Sequence, residues 1–190
     1  MRDDISNEEI EELPLKSFEG DIVVVETMEQ CMSVEKEITN ADILGFDTET
    51  KPAFKKGVTN GIALLQLATA DKAWLFRLNK TELPGYIEKV LSDPKVMKVG
   101  VAIRDDISKI RQVCNIEPKG FVELQSMAED YNIKSKSLKK LAAIVLNIKV
   151  SKKQRLSNWE SEELSEAQLR YAATDAWVPC EIYKQLICKN

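Results

Sequence analysis

The sequence contains no histidine. No side chain therefore titrates near neutrality in its ordinary state. Ser-His-Asp and Cys-His catalysis are excluded, as is any nuclease with a histidine base. A zinc site would also lack its commonest non-cysteine ligand. Cysteine is thin as well: Cys31, Cys114, Cys180 and Cys188 are scattered, with no Cys-x-x-Cys pair to suggest a zinc ribbon or a redox dithiol. They read as reduced, mostly buried thiols. No apolar run reaches the roughly 18–20 residues that span a bilayer. The N-terminus is acidic (Asp3, Asp4, Glu8, Glu9) where a signal peptide would begin basic and turn apolar. A soluble, intracellular, single-domain protein is expected from 190 residues with 44% hydrophobic and 31% charged side chains. A hydrolase of this composition working near pH 7 must activate water without histidine. A hard divalent cation held by carboxylates is the candidate.

The net charge of −4 argues against a general nucleic-acid coat, but the charges are unevenly placed. Residues 1–20 hold seven acids against two bases. From Ile133 to Arg155 there are eight Lys or Arg residues and no acid: Lys134, Lys136, Lys139, Lys140, Lys149, Lys152, Lys153 and Arg155. A solvated face is one reading of such a run; a phosphate-contacting surface is the one favoured here. Residues 1–20 are expected as an extended or partly mobile leader, and 21–190 as the domain proper.

Hydrophobic periodicity orders the rest. Ile-Val-Val-Val within 21–26 is a short strand, 28–40 a helix, and 43–50 a strand that stays apolar until Asp47. Residues 61–69 and 72–78 form a hairpin pair across Ala70-Asp71. A helix over 82–92 stops before Asp93-Pro94. A strand over 96–102, a helix to about Cys114 and a strand over 119–124 follow. Helices near 125–132 and 137–147 lead to a long one from Ser165 to Lys189. The expected fold is α/β, a mixed sheet of about five to six strands flanked by helices.

Three carboxylate-bearing stretches stand out. On a strand, residues two apart share a face, so Asp47 and Glu49 set two carboxylates side by side, roughly 6–7 Å apart at the Cα atoms. Like charges on a central strand are costly unless a cation neutralises them; an acidic turn at a strand end is the plainer reading. In Ile103-Arg104-Asp105-Asp106, the helix puts Ile103, Ile107, Ile110 and Cys114 on its apolar face. Asp106 leans toward that face, while Asp105 reads as a cap or surface acid. Tyr171 and Asp175 lie one turn apart on the last helix, about 6 Å along its axis, with alanines beside them. Pro179 cannot donate to the Asp175 carbonyl, so a kink or a water is expected there.

Taken in order, Phe46-Asp47-Thr48-Glu49, Gly100-x-x-Ile103-x-x-Asp106 and Tyr171-x-x-x-Asp175 resemble the three motifs of the DEDD superfamily of 3′–5′ exonucleases, in its tyrosine-bearing branch. The likeness covers about residues 22–188. It is strongest to Werner-type domains, through Leu64-Leu65-Gln66-Leu67, Ser157-Asn158-Trp159 and the run Leu164–Ala176. The resemblance implies a ribonuclease H-like fold and release of nucleoside 5′-monophosphates from DNA 3′ ends. It implies two divalent ions, Mg²⁺ or Mn²⁺, held by Asp47, Glu49, Asp106 and Asp175, with Asp47 between them and Tyr171 orienting and helping to deprotonate the attacking water. Thr48 beside the acids, Leu65 and Gln66 under the last base, and Lys152, Lys153 and Arg155 on phosphates are the expected nucleic-acid contacts. Trp159 either stacks on a base or caps the core. The basic stretch Lys51–Lys56 is a further candidate contact. An RNase D-like exoribonuclease is the alternative, with DNA favoured because no extra helical RNA-binding domain accompanies the motifs. A nucleic-acid-binding module with a dead nuclease fold is a third reading.

Overall fold

Strand β2 (Ile43–Thr50) holds the middle of the sheet because its first half is apolar on both faces and buries completely from Leu44 to Phe46. Around it the order is β1 (Asp21–Val25), β4 (Lys72–Arg77), β3 (Ile62–Ala68), β2, β5 (Met97–Gly100) and β6 (Phe121–Glu123). The central strands β4, β3 and β2 are antiparallel; the outer pairs β1–β4, β2–β5 and β5–β6 are parallel. This is the mixed α/β sheet expected, with six strands among the described residues. The computed structural model describes residues 2–53, 57 and 59–188.

Among the described residues seven helices pack around it: α1 (Asn7–Glu11), α2 (Met28–Thr39), α3 (Gly85–Ser92), α4 (Arg104–Val113), α5 (Leu124–Asp130), α6 (Leu138–Leu146) and α7 (Glu166–Ile187). One sheet face presents Leu44, Phe46, Leu65, Leu67, Trp74 and Phe76 to α2, α3 and α4. On the other side, Val99 and Leu124 join Leu141, Ala142, Val178 and Ile182 of α6 and α7. Each such apolar side chain contributes roughly 2 kcal/mol on burial. The strand expected over 96–102 ends at Gly100, because the chain then turns through Ala102 in the left-handed region (φ 60°) to start α4. Helix α3 begins only after Pro84, which fixes φ at the cap position. Helix α7 opens on a Ser165/Gln168 capping box and continues through Pro179.

The first twenty residues carry a short helix and pack against the rest of the fold. Ser6 and Glu9 close a capping box on α1, and Ile5, Ile10 and Phe18 are buried at 4%, 0% and 1% exposure. The segment is laced to the C-terminal half: Lys16 N–H donates to the Lys149 carbonyl at 2.9 Å, and Phe18 N–H to Thr174 Oγ1 at 2.9 Å. Its acids meet the basic run. Lys134 pairs with Asp3, Lys140 with Asp4, and Lys139 and Lys149 with Glu11, while Lys136 takes Glu129. Five of the eight cations expected as one phosphate-binding surface are therefore engaged within the fold. Of the basic stretch after β2, Lys51 pairs with Glu160 at 3.1 Å, and Phe54, Lys55 and Lys56 lie outside the described residues.

Candidate active site

The alternation of β2 sends Leu44, Phe46 and Thr48 to one face and Gly45, Asp47 and Glu49 to the other, under α7. Gly45 is what lets α7 come down. A Cβ there would lie 1.8 Å from the Ala176 carbonyl oxygen, so no larger residue permits this contact. The small faces of Ala172, Ala173 and Ala176 complete the seat. That close approach brings Asp175, from the adjoining position of α7, to the two strand acids. Asp47, Glu49 and Asp175 each offer an oxygen within 4.8 Å of the others'.

Asp106 enters from the opposite side of the strand. The first turn of α4 carries it, and the Thr48 hydroxyl donates a short hydrogen bond to its Oδ1. Thr48, expected to touch a nucleotide, thus has its hydroxyl on a carboxylate, and it ties Asp106 to the strand between Asp47 and Glu49. Asp105 is exposed and stays outside the group, as its helix position implied. Lys152, Arg155 and Tyr171 line the same cleft, together with Lys139, Val101, Leu138 and Pro179.

No acid of this group forms an ion pair among the described residues. Burial and repulsion therefore outweigh the pull of the cations that stand further off. Burial, then the charges of Asp175, Asp106 and Glu49, pushes Asp47 well above the carboxylate range. Glu49 rises to about 8 for the same reasons, partly offset by Arg155 and Lys109. Burial lifts Asp175 to about 7 against the pull of Tyr171 and Lys152. Burial raises Asp106 too, with the Thr48 bond opposing. Burial, then the Asp175 charge one turn along, pushes the Tyr171 hydroxyl far above its ordinary value, so it remains a protonated phenol. Across the β2–β3 register from Asp47 sits Gln66, fully buried, with neither amide atom partnered among the described residues. Protein atoms alone leave this floor short of positive charge and of hydrogen bonds. The donor set is all carboxylate oxygen, which fits a hard divalent cation.

Other expected contacts lie elsewhere. Leu65 and Gln66 have 0% exposure and sit within the sheet, so neither is open to a base. Trp159 is likewise 0% exposed, packed with Leu64, Leu75 and Ala172 and tilted against the Tyr171 ring at 6.0 Å, so it supports Tyr171 from within the core instead of stacking on substrate. Lys152, Lys153 and Arg155 are exposed, form no ion pair among the described residues, and two of them line the cleft. Lys109 was not singled out from sequence, although its place three residues after Asp106 on one helix face is the signal that finds it.

A family model described as 3′–5′ exonuclease matches residues 22–189 of the chain. The chain belongs to the 3′–5′ exonuclease family. The bifunctional 3′–5′ exonuclease/ATP-dependent helicase WRN of Mus musculus is 31% identical over 184 residues, covering 92% of this chain and 13% of the relative. The chain thus spans only a small part of that protein's length. Among solved structures, the Aedes aegypti Nibbler EXO domain superposes with a TM-score of 0.81 at 25% identity, covering 92% of this exonuclease chain and 94% of that one. The EXD2 exonuclease domain soaked in Mn and Mg gives a TM-score of 0.52 at 29% identity over 88% of this chain and 90% of that one. The family depends on divalent metal, in keeping with the acid cluster. No helix among the described residues is long and apolar enough to cross a membrane.

Proposed function

We propose that this chain shortens DNA from its 3′ end, using two divalent cations, Mg²⁺ or Mn²⁺, held by Asp47, Glu49, Asp106 and Asp175. The convergence of Asp47, Glu49 and Asp175 within 4.8 Å, in a chain of the 3′–5′ exonuclease family, carries this reading. When bound, the cations would supply the Lewis acidity that makes water nucleophilic near neutral pH and would offset charge on the phosphate.

The chain's own residues do the positioning. Asp47, Glu49 and Asp175 converge from a strand and a helix, both held by packing, and Asp106 is fixed through Thr48. Tyr171 keeps its proton; its phenol orients the attacking water as a donor and does not act as a base. Lys152 and Arg155 line the cleft, where their charge favours the scissile and neighbouring phosphates. The water oxygen joins phosphorus, the bond to the 3′ oxygen breaks, and that oxygen leaves as the new terminal hydroxyl. The product is a nucleoside 5′-monophosphate. The choice of DNA rests on the resemblance of the three motifs to Werner-type domains.

The test uses 5′-labelled recessed duplex DNA, single-stranded DNA and RNA with Mg²⁺ or Mn²⁺. Stepwise shortening of DNA is expected, lost with a chelator and with Asp47→Ala. Digestion that survives Asp47→Ala in clean protein overturns the mechanism; preferential shortening of RNA overturns the choice of DNA and installs the exoribonuclease reading.

A further inference from the structure

Asp106 stands on a helix beside the three-acid cluster, near enough for its charge to act on Asp47 and Glu49, so what aims that helix matters. β5 ends at Gly100, where a Cβ would lie 2.4 Å from Ile103 Cγ2 and 2.6 Å from the Phe46 carbonyl oxygen. The chain turns here in very little space. Ala102 takes the left-handed backbone region that a non-glycine residue adopts only when its surroundings hold it. What holds it is Glu123, the last residue of β6 and the register partner of Gly100. Glu123 Oε1 accepts from Ala102 N–H at 3.0 Å, and its Oε2 accepts from Ile103 N–H at 2.9 Å. Oε1 also accepts from Gln125 N–H, at 3.1 Å, in the first turn of α5. One carboxylate therefore pins the starts of two helices to the sheet edge. Ile103 has no capping side chain of its own, so the α4 entry depends on this borrowed acceptor.

Three residues beyond Ile103 lies Asp106, and its other tether is the Thr48 hydroxyl. The aim of the Asp106 carboxylate is thus set at two points, by Thr48 at its tip and by the α4 entry at its base. We propose that Glu123 is a positioning residue of the exonuclease site, holding Asp106 in the place from which it completes the cation site. An ionised carboxylate offers two acceptor oxygens and no donor, which is what two adjacent N–H groups require. Glutamine keeps the size but turns an NH₂ toward one of them.

This inference rests on the metal-dependent exonuclease reading above, and its test separates the two. Mn²⁺ binding is titrated by calorimetry in four proteins: wild type, Glu123→Gln, Asp106→Asn and the double variant. Glu123→Gln is expected to weaken Mn²⁺ binding about tenfold, a usual size for loss of a residue that orients a ligand. On the Asp106→Asn background the same change is expected to alter affinity less than about twofold, since its effect travels through Asp106. In turnover, Glu123→Gln is expected to lower kcat by about the same factor as the affinity, with KM within about twofold. Equal losses in both backgrounds, or a Glu123→Gln protein that binds and digests like wild type, overturn the positioning role. Wild-type protein that neither binds Mn²⁺ nor shortens a strand overturns the exonuclease reading itself. If Glu123→Gln folds poorly, the cycle is run in an Ala102→Gly background, where glycine removes the left-handed penalty.

Discussion

Two groups of carboxylates in this chain have opposite fates. Asp3, Asp4 and Glu11 near the N-terminus each face a lysine, and those partners hold all three below their ordinary range. Asp47, Glu49 and Asp175 face one another, and burial holds all three above it, with repulsion from neighbouring acids adding to the rise of Asp47 and Glu49. The chain has cations enough to neutralise both groups, yet the fold directs Lys134, Lys139, Lys140 and Lys149 to the N-terminal acids. Lys152 and Arg155 line the cleft without an ion pair to its acids among the described residues. The N-terminal segment is thus closed by its own partners, while the site is left for a cation from outside. Charge count alone does not distinguish these groups; the partner each acid meets does.

The contrast can be broken most sharply at Asp47. Asp47→Asn is expected to reduce turnover by at least about a thousandfold, roughly 4 kcal/mol of barrier. It should at the same time raise the melting temperature of the metal-free protein, because repulsion is relieved. Asp4→Asn should leave turnover unchanged and lower the melting temperature; steady-state digestion and thermal melts read both. Tyr171→Phe is expected to slow kcat by about 10–100-fold, with Mn²⁺ affinity within about twofold of wild type by titration, because the phenol orients and does not ligate. Unchanged turnover would remove that role.

A smaller effect is expected along the basic run. Lys152→Ala with Arg155→Ala should raise KM for a DNA strand by about fivefold, near 1 kcal/mol, and flatten its salt dependence. Lys134→Ala, whose side chain is engaged by Asp3, should leave KM unchanged. Equal effects at the two ends would restore the single phosphate-binding surface that the uninterrupted basic sequence suggested.

A further effect is on stability against pH. In the metal-free fold Glu49 sits at about 8 and Asp175 at about 7, against ordinary values of 4.5 and 3.8. The folded state therefore binds more protons than the unfolded state across that interval, and stability falls as pH rises from about 4 to about 8. Asp3, Asp4 and Glu11, being lowered, act the other way and lose their contribution as pH drops below their ordinary values. Asp175→Asn should flatten the upper slope, as read from melts at half-unit pH steps; an unchanged slope would place its origin elsewhere.

Much of the sheet was legible because its signals are local. β2 runs over the expected residues, the hairpin partners β3 and β4 fall within a residue or two, and the two-residue spacing put Asp47 and Glu49 on one face. The long-range pairings were not legible. Nothing near Asp4 in the sequence announces Lys140, and the apolar anchors Ile5, Ile10 and Phe18 follow neither helical nor strand spacing. The Ser6-x-x-Glu9 box was the one local sign of α1. Thr48, Leu65 and Gln66 read as substrate contacts and Trp159 as either a base-stacking or a core residue, because proximity along a chain does not say which way a side chain leaves a strand or how deep it sits. Glu123 shows the same limit: an acid ending a short strand gains its meaning only from a left-handed turn some twenty residues away.

The melting temperature of the metal-free protein at pH 8, followed as Mn²⁺ is added, tests the central claim most directly. A saturable rise in the wild type, largely lost in Asp47→Asn and retained in Asp4→Asn, is expected of a carboxylate site that lacks only its cation. No rise in the wild type, or the same rise in Asp47→Asn, would contradict it.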